Sequence, residues 1–237
     1  MITKIKIFIS TLLVVLYFLV SNTSFAQECN AVPFMKTGST LEYTMYNRKG
    51  KKEGTTTHET LSVSGENNNL SAVIKATLTN EKNQETFSTQ YNANCDNGLF
   101  SLDMLRFFNF DKLSEHNKNN LSLKIDADVL EFPVGMKTGD HLNDGTISIK
   151  VNSDAFTLVT MTFKVFNRQI VGEEQITTPA GSFLCQKVTF DFESKFGIIN
   201  IKGTGKEWYY KDAVVVRSES YNRKGKLLDY HELSEIR

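Results

Sequence analysis

Neither sign of charge dominates this chain: 27 Lys and Arg balance 27 Asp and Glu. It therefore lacks the electrostatic footprint of a protein that binds nucleic acid or an anionic membrane. Beyond the first residues, no apolar run is long enough to cross a bilayer as a helix. There is no G-x-S-x-G elbow, because the serines of Thr37-Gly38-Ser39 and Ala180-Gly181-Ser182 are not followed by glycine. Thr204 between Gly203 and Gly205 is too short a glycine pattern to cradle phosphate. Histidines and carboxylates occur as the adjacent pairs His58-Glu59 and His231-Glu232. Neighbours on a strand face opposite sides, so neither pair chelates, and both read as solvated strand faces. The two histidines could converge only if their hairpins were neighbours. Glu173-Glu174 beside Gly172 reads as a solvated turn and not as an acid/base pair. These absences predict a non-enzymatic protein with no catalytic, cofactor-binding or metal-binding residues and no nucleic-acid partner.

The first 26 residues carry the strongest local signal. Lys4 and Lys6 precede the apolar run Ile7–Val20, and Ser24-Phe25-Ala26 offers small residues at −3 and −1. The run is about 14 residues, short for a membrane-spanning helix of roughly 20. It reads as a cleaved secretory signal over an uncleaved anchor, with residues 27–237 exported to the periplasm or outside. Glu28 immediately before Cys29 is wrong for lipid attachment, so a lipoprotein is not expected. Without Lys4 and Lys6, 25 of the 27 basic groups remain against 27 acidic ones, a net charge near −2.

Cysteines are only three. Cys29 in a polar segment and Cys95 in the turn-like Asn92-Ala93-Asn94-Cys95-Asp96-Asn97-Gly98 are the natural disulfide partners in an oxidising compartment. Cys185, inside a strand-like run, reads as a small buried hydrophobe. Prolines are also three, expected at strand edges or turns.

What the chain does have is alternation. From Thr40 onward, short period-2 runs are broken by Gly, Asn and Asp. Ile147, Ile149 and Val151 share one face, and Val159, Met161, Phe163 and Val165 share another. Such patterning belongs to antiparallel sheets with one dry face. One stretch departs from it: Leu102, Leu105 and Phe108 fall at helical spacing, with Phe107 and Phe110 beside them. This predicts a short helix near 102–117, either plugging the end of a sheet or forming an apolar flap over an opening.

Two echoes mark the layout. Tyr-Asn-Arg-Lys-Gly-Lys occurs at Tyr46–Lys51 and Tyr221–Lys226, and reads as a hairpin turn with a basic tip or as a polyanion-binding finger. Met-Lys-Thr-Gly occurs at Met35–Gly38 and Met136–Gly139, which admits two pseudo-repeated halves, 30–130 and 131–237, or reuse of one turn.

The block Thr177-Thr178-Pro179-Ala180-Gly181-Ser182-Phe183-Leu184-Cys185-Gln186-Lys187-Val188 resembles a segment of the TapB-like family of exported Bacteroidetes β-proteins, a domain-of-unknown-function 3108-like group. Glu207–Tyr210, Val215–Tyr221 and Lys226-Leu227 resemble its C-terminal signature, and Cys29, Met35–Tyr43 and Cys95-Asp96 are similar as well. Members usually carry glycines around the turn that here reads Asp212-Ala213-Val214. The resemblance implies a strongly curved antiparallel sheet and no established activity. The expected fold is mainly β: one curved sheet or open barrel in a single domain. The expected function is non-enzymatic binding in the cell envelope of a hydrophobic or lipid-like ligand inside the sheet. The alternative is a structural or protein-interaction subunit of an envelope assembly, using exposed strand edges.

Overall fold

A computed structural model describes residues 29–103, 122–152 and 157–237. The signal segment and the flap positions Leu105, Phe107, Phe108 and Phe110 lie outside the described residues. The alternating runs become β1 (Thr40–Asn47), β2 (Lys52–Glu66), β3 (Asn69–Asn80), β4 (Glu85–Asp96) and β5 (Leu99–Asp103). They continue as β6 (Ser122–Ala127), β7 (Val129–Pro133), β8 (His141–Leu142), β9 (Gly145–Asn152) and β10 (Thr157–Thr178). β11 (Gly181–Phe196), β12 (Ile199–Tyr210), β13 (Val214–Asn222) and β14 (Leu227–Ile236) complete the sheet.

All pairings are antiparallel, in the order β6-β9-β10-β11-β12-β13-β14-β1-β2-β3-β4-β5-β7, with β8 on β10. The two ends of that order, β6 and β7, are consecutive in the chain with only Asp128 between them. The segment first pairs with β9, ending at Ala127↔Ile147, and then with β5, from Val129↔Asp103 to Pro133↔Leu99. One strand thus serves both ends of the sheet, and the barrel is nearly closed, with a single seam. Side chains sew that seam. Asp128 accepts the Thr146 N–H on Oδ2 at 2.8 Å and donates its own N–H to the Thr146 carbonyl at 2.9 Å. Buried Arg168 on β10 lies 4.6 Å from the centre of the Phe132 ring on β7, and donates to the Asn143 carbonyl at 2.5 Å.

The first residues of the expected helix are strand. Leu102 and Asp103 belong to β5: Leu102 pairs with Ala93 and is buried beside Phe100. A backbone partner on β4 makes period-2 burial available here, and that outweighs the helical spacing of 102, 105 and 108. Helical structure among the described residues is two 3-10 turns, Cys29–Ala31 and Pro33–Met35. Val32, Phe34 and Met35 are buried in the main core. Phe34 meets Phe100 edge-on, with ring centres 6.2 Å apart. The segment is held as a plug: Ser39 Oγ donates to the Pro33 carbonyl at 2.6 Å and Thr60 Oγ1 to that of Phe34 at 3.0 Å.

The Cys29–Cys95 disulfide forms, with Cα atoms 5.8 Å apart, and ties the plug to β4. Cys95 is a strand residue and not a turn residue, opposite both Leu70 and Phe100. The prolines fall as expected: Pro33 opens a 3-10 turn, Pro133 ends β7, and Pro179 lies in the β10–β11 turn.

Both echoes are repeated turns. Asn47 and Asn222 each use the side-chain oxygen to accept two N–H groups, of Lys49 and Lys51 in one loop and of Lys224 and Lys226 in the other. Gly50 and Gly225 supply φ of 75° and 70°. The loop at Asn80 is a third copy, with Asn80 Oδ1 accepting from Lys82 and Gln84. In the Met-Lys-Thr-Gly pair, Gly38 donates to Thr60 and Gly139 to Ile170, each at 2.8 Å, while Thr60 and Ile170 donate back to Ser39 and Asp140 at 2.9 Å.

Gly203-Thr204-Gly205 is a packing device. A Cβ at Gly205 would lie 2.2 Å from the Phe190 ring, and one at Gly203 would lie 2.6 Å from that of Phe192. Two rings cross β12 where side chains are missing, an arrangement used to rescue glycine in sheets.

Two outcomes follow. Reducing Cys29–Cys95 opens the loop that the disulfide closes in the unfolded chain, with a sequence separation of 66, so urea unfolding should show a loss of roughly 4 kcal/mol. Gly205→Ala must displace Phe190, and the same measurement should show a loss of about 1–3 kcal/mol, whereas Gly225→Ala in an exposed loop should lose about 1 kcal/mol through backbone strain alone.

Candidate functional site

The barrel interior is not filled. A cavity of about 230 Å³ lies between the plug and the walls, lined by Phe34, Leu41, Tyr43, Met45, Leu102 and Val215 among others. Its polar wall is built from three separate parts of the chain: His58, Glu207 and His231 all line it. β1 brings two of them together, because it pairs on one side with β2 (Leu41↔His58) and on the other with β14 (Met45↔His231). Tyr43 stands between the imidazoles, edge-on to both, at 5.4 Å from His58 and 5.7 Å from His231. His58 Nδ1 is hydrogen-bonded to the Tyr91 hydroxyl at 3.0 Å.

Glu207 is buried and accepts a hydrogen bond from the Tyr209 hydroxyl on Oε2, while Ser218 Oγ donates to Oε1 at 3.4 Å. Ser218 is itself the cross-strand partner of His231. Carboxylate, imidazole and phenol groups therefore share an apolar chamber in which each can hold a ligand's polar end. Their half-buried inward position corrects the expectation of solvated strand faces for His58 and His231. The hairpins are neighbours through the β1–β14 pairing, which runs from Asn47↔Asp229 (229 − 47 = 182 positions apart) to Leu41↔Ile236 (236 − 41 = 195). Among the described residues, no group of three His, Cys, Asp or Glu side chains is arranged to hold a metal ion.

Leu102 lines this cavity as part of the wall. The expected acidic turn at Glu173-Glu174 is strand: both residues lie in β10, and Gly172 marks a bulge against Lys187. Glu174 accepts Trp208 Nε1–H and Lys187 Nζ, each at 2.9 Å, and Lys187 lies 5.0 Å from the centre of the Trp208 ring. The Trp208 hydrogen bond, followed by that from Lys187, holds the Glu174 carboxyl below its usual value of 4.5. Cys185 lies under this group in a small second core with Trp208 and Val216. Burial, with help from the Glu174 charge, pushes its thiol up to about 12, so it is an inert hydrophobe.

At the Asp212 turn the chain bears the cost of left-handed backbone without glycine, with φ of 49° at Lys211 and 52° at Asp212. Both side chains are used: Lys211 donates to the Ala31 carbonyl at 3.0 Å, and Asp212 accepts the Gly135 N–H at 2.7 Å. The turn thereby clamps the plug.

Fold and cavity define an antiparallel β-barrel with a plugged, partly polar interior. The chain belongs to the DUF3108-like family, whose model matches residues 36–233. A Bacteroides fragilis protein, provisionally described as exported and as having a YmcC-like fold, is 26% identical. The match spans 85% of this chain and 96% of that one, with a TM-score of 0.70. A Parabacteroides distasonis protein provisionally described as a lipoprotein is 21% identical over 86% of this chain and 96% of its own, with a TM-score of 0.71, and shows the same fold. A search of curated proteins found no match. Among the described residues, no helix is long and apolar enough to cross a membrane.

Trp208 is the only tryptophan in the chain, so intrinsic fluorescence reads its surroundings alone. Glu174 has a depressed folded-state pKa, so its contribution is present above 4.5 and lost as pH falls through the lower folded value. Acid titration followed by tryptophan emission should therefore show a transition centred below pH 4.5, ahead of any loss of far-UV signal. Glu174→Gln should abolish it.

Proposed function

We propose that this is an exported, non-enzymatic binding protein whose barrel interior takes a small amphipathic ligand. The observation that carries the reading is the two-sided cavity, apolar at Phe34, Leu41, Met45 and Leu102 and polar at His58, Glu207 and His231. The apolar part of the ligand lies against the plug, and its polar group meets the imidazoles and the carboxylate. Size narrows the expected lipid-like cargo. A chamber of about 230 Å³ is smaller than the roughly 300–1,000 Å³ of typical small-molecule sites. The ligand is a short amphiphile or one end of a longer chain, not a whole two-chain lipid.

Export is supported by the leader-like first 26 residues and by the description of the Bacteroides fragilis relative as exported. Pairing of Cys29 with Cys95 supports a protein without a lipid anchor at that residue, because a sulfur in a disulfide carries no thioether. The alternative of an assembly subunit joined through open strand edges has less support, since the terminal strands β6 and β7 are short and consecutive.

Native mass spectrometry of protein purified from its own envelope tests the reading. The wild type should carry a bound small molecule, and Thr56→Phe, which fills the cavity from its wall, should lose it while still melting cooperatively. A ligand-free wild type, or equal loading of the two proteins, sinks the proposal.

A further inference from the structure

A second surface, independent of the cavity, lies at the opposite end of the barrel from the plug. The β11–β12 hairpin turns through the two-residue loop Gly197-Ile198, with Phe196 paired to Ile199. On one side β13 ends where Gly203 pairs with Asn222, so residues 199–202 extend past that strand; on the other side β10 stays paired to Phe196 through Met161 and runs on to Thr157. At about 3.3 Å per residue the tip lies roughly 13 Å beyond the end of β13. This projection is apolar. Ile198 is fully exposed at 103%, in a position where turns ordinarily place polar residues. Phe196, Ile199, Ile201 and the nearby Leu158 are each about half exposed.

The pairing brings the basic loops to the same end. Asn222 opens one Arg-Lys-Gly-Lys loop beside Gly203, and Asn47, paired with Asp229, opens the other beside it. Arg48, Lys49 and Lys52 from one loop, and Arg223, Lys224 and Lys226 from the other, are exposed and make no ion pair with a described residue. The acids here are partly spent: Glu81 bridges Lys51 at 2.9 Å, and Glu193 bridges Lys202 at 3.1 Å and Lys195 at 3.3 Å. Glu53, Glu85 and Asp229 leave the cations in excess.

We propose that this end docks on an anionic lipid surface, the Ile198 tip entering the headgroup–acyl boundary and the two basic loops lying on the lipid phosphates. An apolar projection flanked by lysine and arginine is the composition of interfacial membrane contacts. A protein partner fits less well. Protein interfaces deplete lysine and need roughly 1,000 Å² or more of complementary surface, which a two-residue tip with unpaired cations around it does not offer. The neutral composition concealed the site because it averages over both ends of the barrel.

Vesicle co-sedimentation of the exported protein tests this. Phosphatidylcholine mixed with phosphatidylglycerol in equal parts should retain it, and phosphatidylcholine alone should retain it far less. Raising the salt from about 0.1 M to about 1 M, which cuts the screening length from about 10 Å to about 3 Å, should release it. Ile198→Ser should weaken retention about tenfold. Arg223→Ser with Lys224→Ser should weaken it about 25-fold, near fivefold for each charge. Both variants alter exposed residues only, and unchanged Trp208 emission and melting would verify the fold. Three results overturn the proposal: no retention on either vesicle, retention that neither variant reduces, or a protein cross-linked through position 198 in the absence of lipid binding.

Discussion

Closure of the sheet by a single strand is the constraint on which the remaining structure depends. Residues 122–133 give their lower half to β9 and their upper half to β5, changing neighbours at Asp128. Without that exchange the barrel would be an open sheet with two unpaired edges, a ready template for aggregation. The change of partner leaves a gap in the ladder, and it is closed by the backbone and side-chain bonds between Asp128 and Thr146 and by Arg168 stacked on Phe132. Phe132 lies in turn 4.8 Å from Tyr209, whose hydroxyl donates to Glu207. The seam and the cavity's carboxylate are thus physically joined.

A sheet of this many strands has a further consequence. About eight strands give an interior that wall side chains can just fill, and more strands give a wider one. Here the ring holds 12 strands, the 14 of the sheet less β8, which lies off the path, and less one because β6 and β7 act as a single strand; they leave space that the walls do not occupy. Part is taken by the plug of Val32, Phe34 and Met35, part by the Phe190 and Phe192 rings over two glycines, and the rest is the cavity. The disulfide, the Thr60–Phe34 bond and the Lys211 clamp all act on the plug, and so set one wall of the chamber. Elements that look like separate stabilising devices are one arrangement for keeping a wide barrel both closed and partly empty.

Much of this was legible before any coordinates. Alternation at Ile147/Ile149 and at Phe163/Val165 gave strands because burial on one face of a pleat has no other period, and the pairing of Cys29 with Cys95 followed from their settings. The misreadings share one cause. Nearest neighbours in sequence do not describe Leu102, His58, His231 and Glu174, whose environments come from residues 9 (102 − 93) to 188 (231 − 43) positions away. Leu102 has a helical neighbourhood but a strand partner, Ala93. His58 and His231 flank Tyr43 because the first and last strands of the described chain pair, which no local pattern announces. Glu174 follows a glycine that marks a bulge, and a bulge and a turn place the same residue types in the same order.

The distribution of charge carries the same lesson one level higher. In an antiparallel meander successive connections alternate between the two ends, so every second loop returns to the same end. The loops at Asn47, Asn80 and Asn222 follow odd-numbered strands and gather at one rim, where their Arg and Lys residues add. The loops after β2, β4, β10 and β12, at 67–68, 97–98, 179–180 and 211–213, gather at the other, built from Asn, Gly, Pro, Ala, Lys and Asp. Net charge sums these two populations and returns zero. The basic hexapeptide at Tyr46 and Tyr221 is therefore not informative as a motif but as a phase: both copies fall on the same parity of turn, and the barrel's closure at β1–β14 places them side by side. An apolar hairpin on that parity, at Ile198, joins them for the same geometrical reason. Composition excludes a basic protein, whereas strand parity identifies a basic end.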